Sequence, residues 1–475
     1  MSTGMHASDL KRLKRWSKLS QLKRMYPDTI IHLDLLNLFS TGKPAGQPCF
    51  FAQRLQAIML YTLTLFGALF VATLTLMLGS GLLGSTLSLR LSAEGFAAPV
   101  IGVIMSGFYI GLTLGTFVCP AIVRRVGHIR AFAAFAAVNT AATLLYPLFI
   151  AAPIWFLFRL LTGISMMGLY MVVESWLNNR TEPRMRGRVF SVYMTMTFLG
   201  LGLGQLFLNV RDIGSSDLFL IVGICTALCL VPVVLTRSIH PDLPETASMQ
   251  LNQLLRRAPM GLLGALVTGL IASAFYSLAP VFAQQSGLPI AMVARFMGLT
   301  ILCGLVLQWP VGLLSDRFDR LQVLAVLALL ACVAAELIIL TAGRALVLLL
   351  VASGLYGGLA FTLYPVAVAH TNDRVDNREI VAASSSLILC YGLGACLGPL
   401  GAAVFMAMLG PTGLYVYIAL VAGLFGITVI VHQRLEKPKV EEPVPYTPVP
   451  YTSRVITSIH PYSESESKED EEVSG

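Results

Sequence analysis

The sequence predicts an all-α integral membrane protein: twelve transmembrane helices in two six-helix pseudo-repeats around a central cavity. Three observations predict this fold class. Of the 475 residues, 56% are hydrophobic and only 12% are charged, against roughly 25% charged residues in soluble domains. Apolar runs of about 18 or more residues, each able to cross a hydrocarbon core of about 30 Å, recur along the chain. A short charged loop also occurs twice, about 192 residues apart.

The apolar runs set the order of the elements. Twelve are found, at residues 57–83, 97–119, 130–151, 154–177, 189–210, 217–236, 259–283, 290–314, 321–342, 345–370, 380–408 and 412–432. They predict an N-terminal six-helix half over 57–236 and a C-terminal six-helix half over 259–432, joined by a polar linker over 237–258. A signal peptide would place a shorter apolar region, of roughly 7–15 residues, near residue 1. We therefore expect residues 1–56 to form a retained basic extension.

The two ends of the chain differ in composition from the spans. Within residues 10–24, apolar residues recur among lysines and arginines. This pattern predicts either an amphipathic helix on anionic lipid or a disordered basic arm that helps orientation. Residues 433–475 are rich in proline and end in an acidic run. Such a composition cannot bury a core, so we expect a disordered tail.

Basic residues predict the orientation. With the N-terminus in the cytosol, the inner segments carry Arg124, Arg125, Arg130, Arg180, Arg184, Arg186, Arg188, Arg237, Arg256, Arg257, Arg317 and Arg320. The outer loops carry only Arg90, Arg211 and Arg344. This positive-inside pattern places both termini, the linker and the tail in the cytosol. It also accounts for the net charge of +8 without a nucleic-acid partner.

The repeated loop is the clearest sign of duplication. The second copy is Gly312-Leu-Leu-Ser-Asp-Arg-Phe-Asp-Arg320, and the first is Pro120-Ala-Ile-Val-Arg-Arg-Val-Gly-His128. Gly127 falls opposite Asp319, and at nearly the same offset Gly204 falls opposite Gly398. Internal repeats related by an axis along the membrane normal are one plan of membrane proteins that move solutes.

Three motifs together resemble the major facilitator superfamily. The loop ending at Arg320 is similar to that family's Gly-x-Leu-small-Asp-Arg-x-Gly-Arg pattern, with Asp319 at the second glycine. Arg159-Leu-Leu-Thr-Gly163 is similar to its Arg-x-x-x-Gly pattern, and the segment Gly394 to Pro399 to its glycine-proline pattern. The runs Val172–Trp176, Gln308–Pro310 and Leu363–Val366 resemble a small bacterial branch of inner-membrane transporters of unassigned substrate.

The resemblance implies a function and a location. We expect a monomeric secondary transporter in the bacterial inner (plasma) membrane that moves a small solute by alternating access, coupled to protons, without cofactor or metal. The alternative is a transporter-derived sensor or scaffold, because both termini are long. No His-Glu-x-x-His, Gly-x-Ser-x-Gly or intact phosphate loop occurs, so an enzyme is not expected. The eight cysteines lie mostly inside spans and imply no disulfide framework.

The repeated loops are the candidate cytosolic gate. In the second copy, Asp316, Arg317 and Arg320 are placed to form ion pairs with helix ends; in the first copy only Arg125 and Gly127 match the family pattern. The alternative is that the arginines only retain these loops in the cytosol.

Two charges in the fourth run are candidates for proton coupling or relay. A charge near the bilayer centre costs about 2.5–3.5 kcal/mol, so it usually faces a polar cavity. Glu174 is the first choice for a protonatable group; the alternative is an inner-gate residue paired with Arg180 or Arg184. Arg159 lies roughly 22 Å along the same helix. The resemblance implies that it relays protons or holds an anion, and the alternative is an arginine tied to backbone carbonyls.

Two further sets complete the candidate residues. Polar and aromatic residues within the runs are candidates for the substrate cavity: Tyr109, Asn139, Tyr276, Gln308, Trp309, Tyr356 and Tyr364. Packing is the alternative for each of them. Small residues that let helices approach closely, together with a proline expected to kink the eleventh helix, are Gly107, Gly111, Gly115, Gly200, Gly204, Gly394, Gly398 and Pro399.

Overall fold

The structure is a computed structural model that describes residues 48–181, 185–235, 251–375 and 379–435. Contacts divide the chain into one unit of residues 1–64 and a second of residues 65–475. The described part of the first unit, residues 48–64, is helical; every span described below lies in the second unit. Several predictions lie outside the described residues: the amphipathic segment, Arg184, Arg237 and the tail beyond residue 435.

Twelve helices in this described part are long and apolar enough to cross a membrane. Numbered as spans 1 to 12, they are Phe66–Ala93, Ala98–Val126, His128–Leu148, Ala152–Arg180, Arg186–Asn209, Asp217–Val234, Pro259–Gln285, Ile290–Arg317, Arg320–Thr341, Leu346–Asn372, Ala382–Leu409 and Gly413–Leu435. Span 1 is the end of a longer helix, Pro48–Ala93, and span 11 belongs to the helix Ile380–Leu409. A short helix, Leu251–Arg257, precedes span 7.

Four spans depart from a single regular α-helix. Spans 3 and 5 end in 3₁₀ turns, at Tyr146–Leu148 and Gln205–Asn209. Span 6 divides into Asp217–Leu228 and Leu230–Val234, and span 10 into Leu346–Ala360 and Leu363–Asn372. Pro399, expected to kink span 11, lies inside one continuous helix, Ile380–Leu409.

Span 1 runs further than its apolar pattern. The predicted run ended at residue 83, yet the helix continues to Ala93. The added turns carry Ser85, Thr86 and Ser88, all of them buried. Protein partners satisfy two of these three groups: the Ser85 hydroxyl donates to Gln205 Oε1 at 2.6 Å, and the Ser88 hydroxyl donates to the Ser85 carbonyl at 3.2 Å. The predicted apolar run ends before these residues because hydropathy counts them as polar and takes no account of their hydrogen-bond partners in the fold.

The two halves repeat the same helix packing. In the first half, a Cβ on Gly200 would lie 2.8 Å from the Leu74 carbonyl oxygen, so span 5 packs tightly on span 1. In the second half, a Cβ on Gly394 would lie 2.0 Å from the Leu266 carbonyl oxygen, so span 11 packs in the same way on span 7. Backbones can approach this closely only where side chains are minimal. The fold is therefore two six-helix repeats, as predicted.

The connections after spans 2 and 8 lie at one end of the bundle, called here the basic end, and those after spans 1 and 7 lie at the far end. The two basic-end connections have different geometry. Gly127 has φ +84° and ends span 2 directly before span 3; this region of φ favours glycine. Asp319 instead has φ −55°, and its carboxylate caps span 9 by accepting from the Gln322 amide at 3.0 Å.

The halves meet through spans 2 and 11 and through spans 5 and 8. Gly102, about one turn into span 2 from the far end, faces Ala403 and the Pro399 carbonyl of span 11. Nearer the middle of the same pair, Thr113 Oγ1 lies 3.8 Å from Cys396 Sγ. On the other side, Gly202 of span 5 faces Leu302 of span 8. These contacts join the halves from the far end to the middle.

Candidate functional site

A cavity of about 110 Å³ lies between the two halves. Spans 1, 2, 4 and 5 line it from the first half, and spans 7, 8 and 11 from the second. Six of the larger apolar residues in its wall are Leu112, Met167, Leu201, Met297, Ile388 and Leu389. Its polar residues are mostly hydroxyl-bearing, with one amide and one charged group. Such a mostly apolar wall with few polar groups is typical of a small-molecule site.

The charged group is Arg159 of span 4, whose residue is only 5% exposed. Its guanidinium carbon lies 4.6 Å from the centre of the Phe108 ring, within cation–π range. Its Nε has no hydrogen-bond acceptor, and none of the ion pairs among the described residues includes it. The alternative of an arginine tied to backbone carbonyls therefore has no support at Nε.

The amide is Gln205, at the start of the 3₁₀ turn of span 5, and the sequence analysis missed it. Its Nε2 donates to the Gly81 carbonyl at 2.9 Å, and its Oε1 accepts from the Ser85 hydroxyl at 2.6 Å. These bonds fix the amide against span 1. The signal available in the sequence was a lone glutamine directly after the glycine series Gly200 to Gly204, within an apolar run.

Several hydroxyls of the wall already have partners. The Thr113 and Thr116 hydroxyls donate to the backbone carbonyls of Tyr109 and Thr113, at 2.9 and 2.7 Å. The Tyr170 hydroxyl lies 3.5 Å from Met77 Sδ. The guanidinium of Arg159 is therefore the strongest polar group that the cavity presents to a ligand.

Two of the seven predicted cavity residues, Tyr109 and Tyr276, line this cavity. Tyr276 stacks on Phe361, with 5.4 Å between ring centres. Tyr364 lies behind the wall, 5.2 Å from the ring of the lining residue Tyr391. Helix rotation, which sequence spacing fixes only approximately, decides which of these rings faces the cavity.

The other four predicted cavity residues lie outside its lining. Asn139 is buried beside Met166 of span 4, and Tyr356 packs between Phe275 and Tyr415. Gln308 is buried, but Trp309, the next residue of span 8, is 76% exposed. Adjacent helical residues point about 100° apart, so both cannot face one interior site. Trp309 thus differs from its predicted placement.

Glu174 is fully buried, and Tyr193 of span 5 donates a hydrogen bond to its Oε1 at 3.0 Å. Arg180, one of the expected pairing partners, is exposed at the end of span 4. Glu336 is the other acidic residue within the interior of a described span, and it is exposed. Glu174 therefore stands out as a buried acid, at a distance from the cavity wall along span 4.

The second-copy loop forms an ion-pair cluster around Arg320. This side chain is 4% exposed; its Nε lies 2.8 Å from Asp373 at the end of span 10, and its Nη2 lies 3.6 Å from Asp316 of span 8. The cluster ties the basic ends of spans 8, 9 and 10 together. Arg317 is exposed. The sequence analysis did not single out Asp373, because it follows span 10 and only the tertiary fold brings it to Arg320.

The first-copy loop has a histidine–serine contact at the matching place. His128, opposite Arg320 at the repeat offset, is buried, and its Nε2 lies 3.0 Å from the Ser175 hydroxyl of span 4. Arg125 is exposed. Gly127 forms the tight connection between spans 2 and 3, and its positive φ explains why a glycine lies there.

The predicted packing glycines lie at helix contacts. Gly107, Gly111 and Gly115 face span 4, where added Cβ atoms would meet Phe156, Leu160 and Met167. The glycines of spans 5 and 11 lie against spans 1 and 7, respectively, in agreement with the repeat. A Cβ added to Gly204 would lie 2.3 Å from the Leu78 carbonyl oxygen. A Cβ added to Gly398 would lie 2.3 Å from the Leu270 carbonyl oxygen.

Comparison with known proteins agrees with this architecture. The sequence profile of the Major Facilitator Superfamily matches residues 69–371 and, again, residues 296–461. The chain belongs to the Major Facilitator Superfamily. It is also 28% identical over 357 residues to YcaD, an uncharacterized MFS-type transporter of several Escherichia coli strains, covering 74% of this chain and 91% of YcaD. This superfamily member is therefore a bacterial membrane transporter, and not an enzyme.

Solved structures of several transporters share the fold. A nucleoside transporter, NupG, superposes with a TM-score of 0.66 at 12% identity, covering 78% of this chain and 99% of NupG. A D-xylose–proton symporter gives 0.60 at 14% identity, over 78% of this chain and 97% of its own length. A POT family peptide transporter gives 0.63 at 14% identity, over 82% and 99%. At these identities the likeness concerns the fold alone.

Proposed function

We propose that this superfamily member is a secondary active transporter that moves a small solute across the bacterial inner membrane by alternating access. The observation that carries the proposal is the cavity that both halves line around the buried Arg159. A site shared between two repeats can open to either side as one repeat rocks against the other. We further propose that the protein works as a monomer with both termini in the cytoplasm, since the arginine clusters favour that orientation.

Contacts between the halves favour one conformation in this cycle. The contacts of Gly102 with span 11 and of Gly202 with span 8 lie toward the far end. Under the proposed orientation the far end is periplasmic. The conformation would then be closed to the periplasm, with the cavity reached from the cytoplasmic side.

The clusters at the basic end support a gating role in this proposal. Arg320 with Asp316 and Asp373 would hold spans 8, 9 and 10 as one unit, so that they move together. Arg125 and Arg317, both exposed at that end, would form pairs across the entrance when it closes. Gly127 would keep the corresponding connection of the first half short.

Reconstitution tests the proposed transport. The full chain in proteoliposomes, with and without an imposed pH gradient, would be screened against a panel of labelled metabolites and drugs. We expect at least one solute to accumulate above the level in protein-free liposomes, and to accumulate further when the pH gradient is imposed. A scaffold would show no protein-dependent uptake of any solute, and that result would contradict the proposal.

Glu174 is the proposed proton-coupling residue. Its carboxyl is fully buried beside the Tyr193 hydroxyl, and burial disfavours the charged form of a carboxyl. Glu174→Gln fixes the neutral state, so we expect it to remove the response of uptake to the pH gradient while solute exchange persists. The matched control is Glu336→Gln, an exposed acid within span 9, which should respond as wild type does. A wild-type pH response in Glu174→Gln would exclude Glu174 as the coupling site.

A further inference from the structure

The charge of the cavity wall is unbalanced. Arg159 is the single ionisable Arg, Lys, His, Asp or Glu among the described residues of the lining. It is buried, it takes part in none of the ion pairs of the described residues, and its Nε has no acceptor. An unpaired buried cation is costly and is retained where a ligand supplies the counter-charge. The charge of the wall is therefore complementary to a ligand with a negatively charged group.

We propose that the solute is a small monocarboxylate whose carboxylate pairs with Arg159 and whose apolar part lies against the methionine and leucine side chains of the wall. This inference rests on the proposed transport function and names the solute class of its site. A guanidinium presents parallel N–H donors that match a carboxylate in a two-point pair. The Phe108 ring, whose centre lies 4.6 Å from the guanidinium carbon, contacts the same group through a cation–π interaction.

The charge count favours one negative group over two. A dianion would bring one uncompensated charge into a wall that offers a single cation. A neutral polyol is also disfavoured, because it needs many free donors and acceptors. The Thr113 and Thr116 hydroxyls and the Gln205 amide already have partners within the protein.

The size of the cavity limits the solute. Its volume is about 110 Å³, below the roughly 300–1,000 Å³ of sites for drug-sized ligands. An apolar cavity of about 150 Å³ holds benzene. A carboxylate on a short chain fits within this volume, whereas one on a ring would extend from it toward the cytoplasmic entrance proposed above; Leu112, Met167 and Met297 supply the apolar contacts.

Benzoate is the probe that tests this inference. Binding to the purified full chain in detergent is measured by the rise in thermal midpoint and by titration calorimetry, because neutral benzoic acid crosses bilayers unaided and would obscure uptake. We expect benzoate to bind, its neutral isostere benzamide to bind at least about tenfold more weakly, and the dianion phthalate not to bind more tightly than benzoate. Equal binding of benzamide, tighter binding of phthalate, or no benzoate binding at millimolar concentration would overturn the inference.

Variants assign the binding to the residue. Arg159→Gln should weaken benzoate binding at least about tenfold, whereas Arg295→Gln, which removes an exposed arginine of span 8, should leave it unchanged. Arg159→Met should also raise the thermal midpoint of the ligand-free protein, by about 2–4 °C, since it removes an unpaired buried charge. If Arg159 only stabilised the fold, Arg159→Met would lower the thermal midpoint instead.

The two proposals fail in different ways. Benzoate binding that depends on Arg159, with no transport of any solute, would contradict the transport function and leave the anion site standing. Uptake of a neutral solute that is unaffected by Arg159→Gln would contradict the carboxylate class and leave the transporter standing.

Discussion

Replacing Gly163 with valine should abolish the recovery of folded, monodisperse protein. A Cβ at this position would lie 2.1 Å from the Phe108 carbonyl oxygen and 2.9 Å from Gly111 Cα, on the facing helix. Backbone atoms cannot move away as a flexible side chain can. Spans 2 and 4 would have to separate, and with them Phe108 and Arg159, which line the cavity from these two helices. Overpacking of this kind costs about 1–3 kcal/mol or more.

The measurement is the fraction of detergent-extracted protein that elutes as one species in size-exclusion chromatography, with its thermal midpoint. Gly67→Ala is the matched control: this span 1 glycine has no heavy atom within 4 Å of an added Cβ, and alanine favours helix over glycine. It should therefore express like wild type or slightly better. Folded Gly163→Val with a wild-type midpoint would contradict the close contact of spans 2 and 4.

Replacing Asp373 with asparagine should be the most harmful single change at the basic end. The variant takes the closest carboxylate, at 2.8 Å, from a guanidinium that is 4% exposed. Removing one partner of a buried ion pair costs about 3–5 kcal/mol, and the lower figure applies here because Asp316 remains 3.6 Å away. We expect a clear loss of thermal stability and slower transport.

Two companion variants show whether the pair is the cause. Asp316 is 37% exposed, so Asp316→Asn should cost under about 1 kcal/mol and slow transport while leaving insertion intact. The double variant Arg320→Met with Asp373→Leu removes both charges and should recover most of the stability that Asp373→Asn loses. Equal midpoints for Asp373→Asn and wild type would contradict the role assigned to this pair, and unchanged transport in Asp316→Asn would exclude it from the gate.

The sequence predicted the features that depend on local composition. Span number and the repeat follow from hydropathy and from the paired loops ending at His128 and Arg320, because a helix in lipid must be apolar along its whole length. The close approach of Gly111 and Gly163 was also accessible, since small residues at helical spacing are the condition for such contact. Residues 85–93 of span 1 were missed because Ser85, Thr86 and Ser88 lower the local hydropathy, although the fold buries all three and gives Ser85 a distant partner in Gln205.

The features that depend on helix rotation and on tertiary neighbours were not accessible. Gln308 and Trp309 are adjacent in sequence and both plausible in a cavity, yet one is buried and the other is 76% exposed. Arg320 was expected to form ion pairs with helix ends, but the sequence did not indicate that its nearest carboxylate would be Asp373, which follows a different span. Gln205 is held in position by span 1, through hydrogen bonds with the Ser85 hydroxyl and the Gly81 carbonyl. None of these partners is close in sequence.

The two halves are proposed to move against each other around the Arg159 cavity, and distances between spin labels test this motion most directly. In a background without native cysteines, one label pair would be placed at the far end, on Ala97 and Gln285, and another at the basic end, on Arg130 and Gln322; all four residues are exposed. Distances would be measured in lipid nanodiscs at acidic and alkaline pH, with and without benzoate. Alternating access predicts two populations whose distances change in opposite senses, the far-end pair lengthening as the basic-end pair shortens. One unchanging distance at each end under every condition would contradict it.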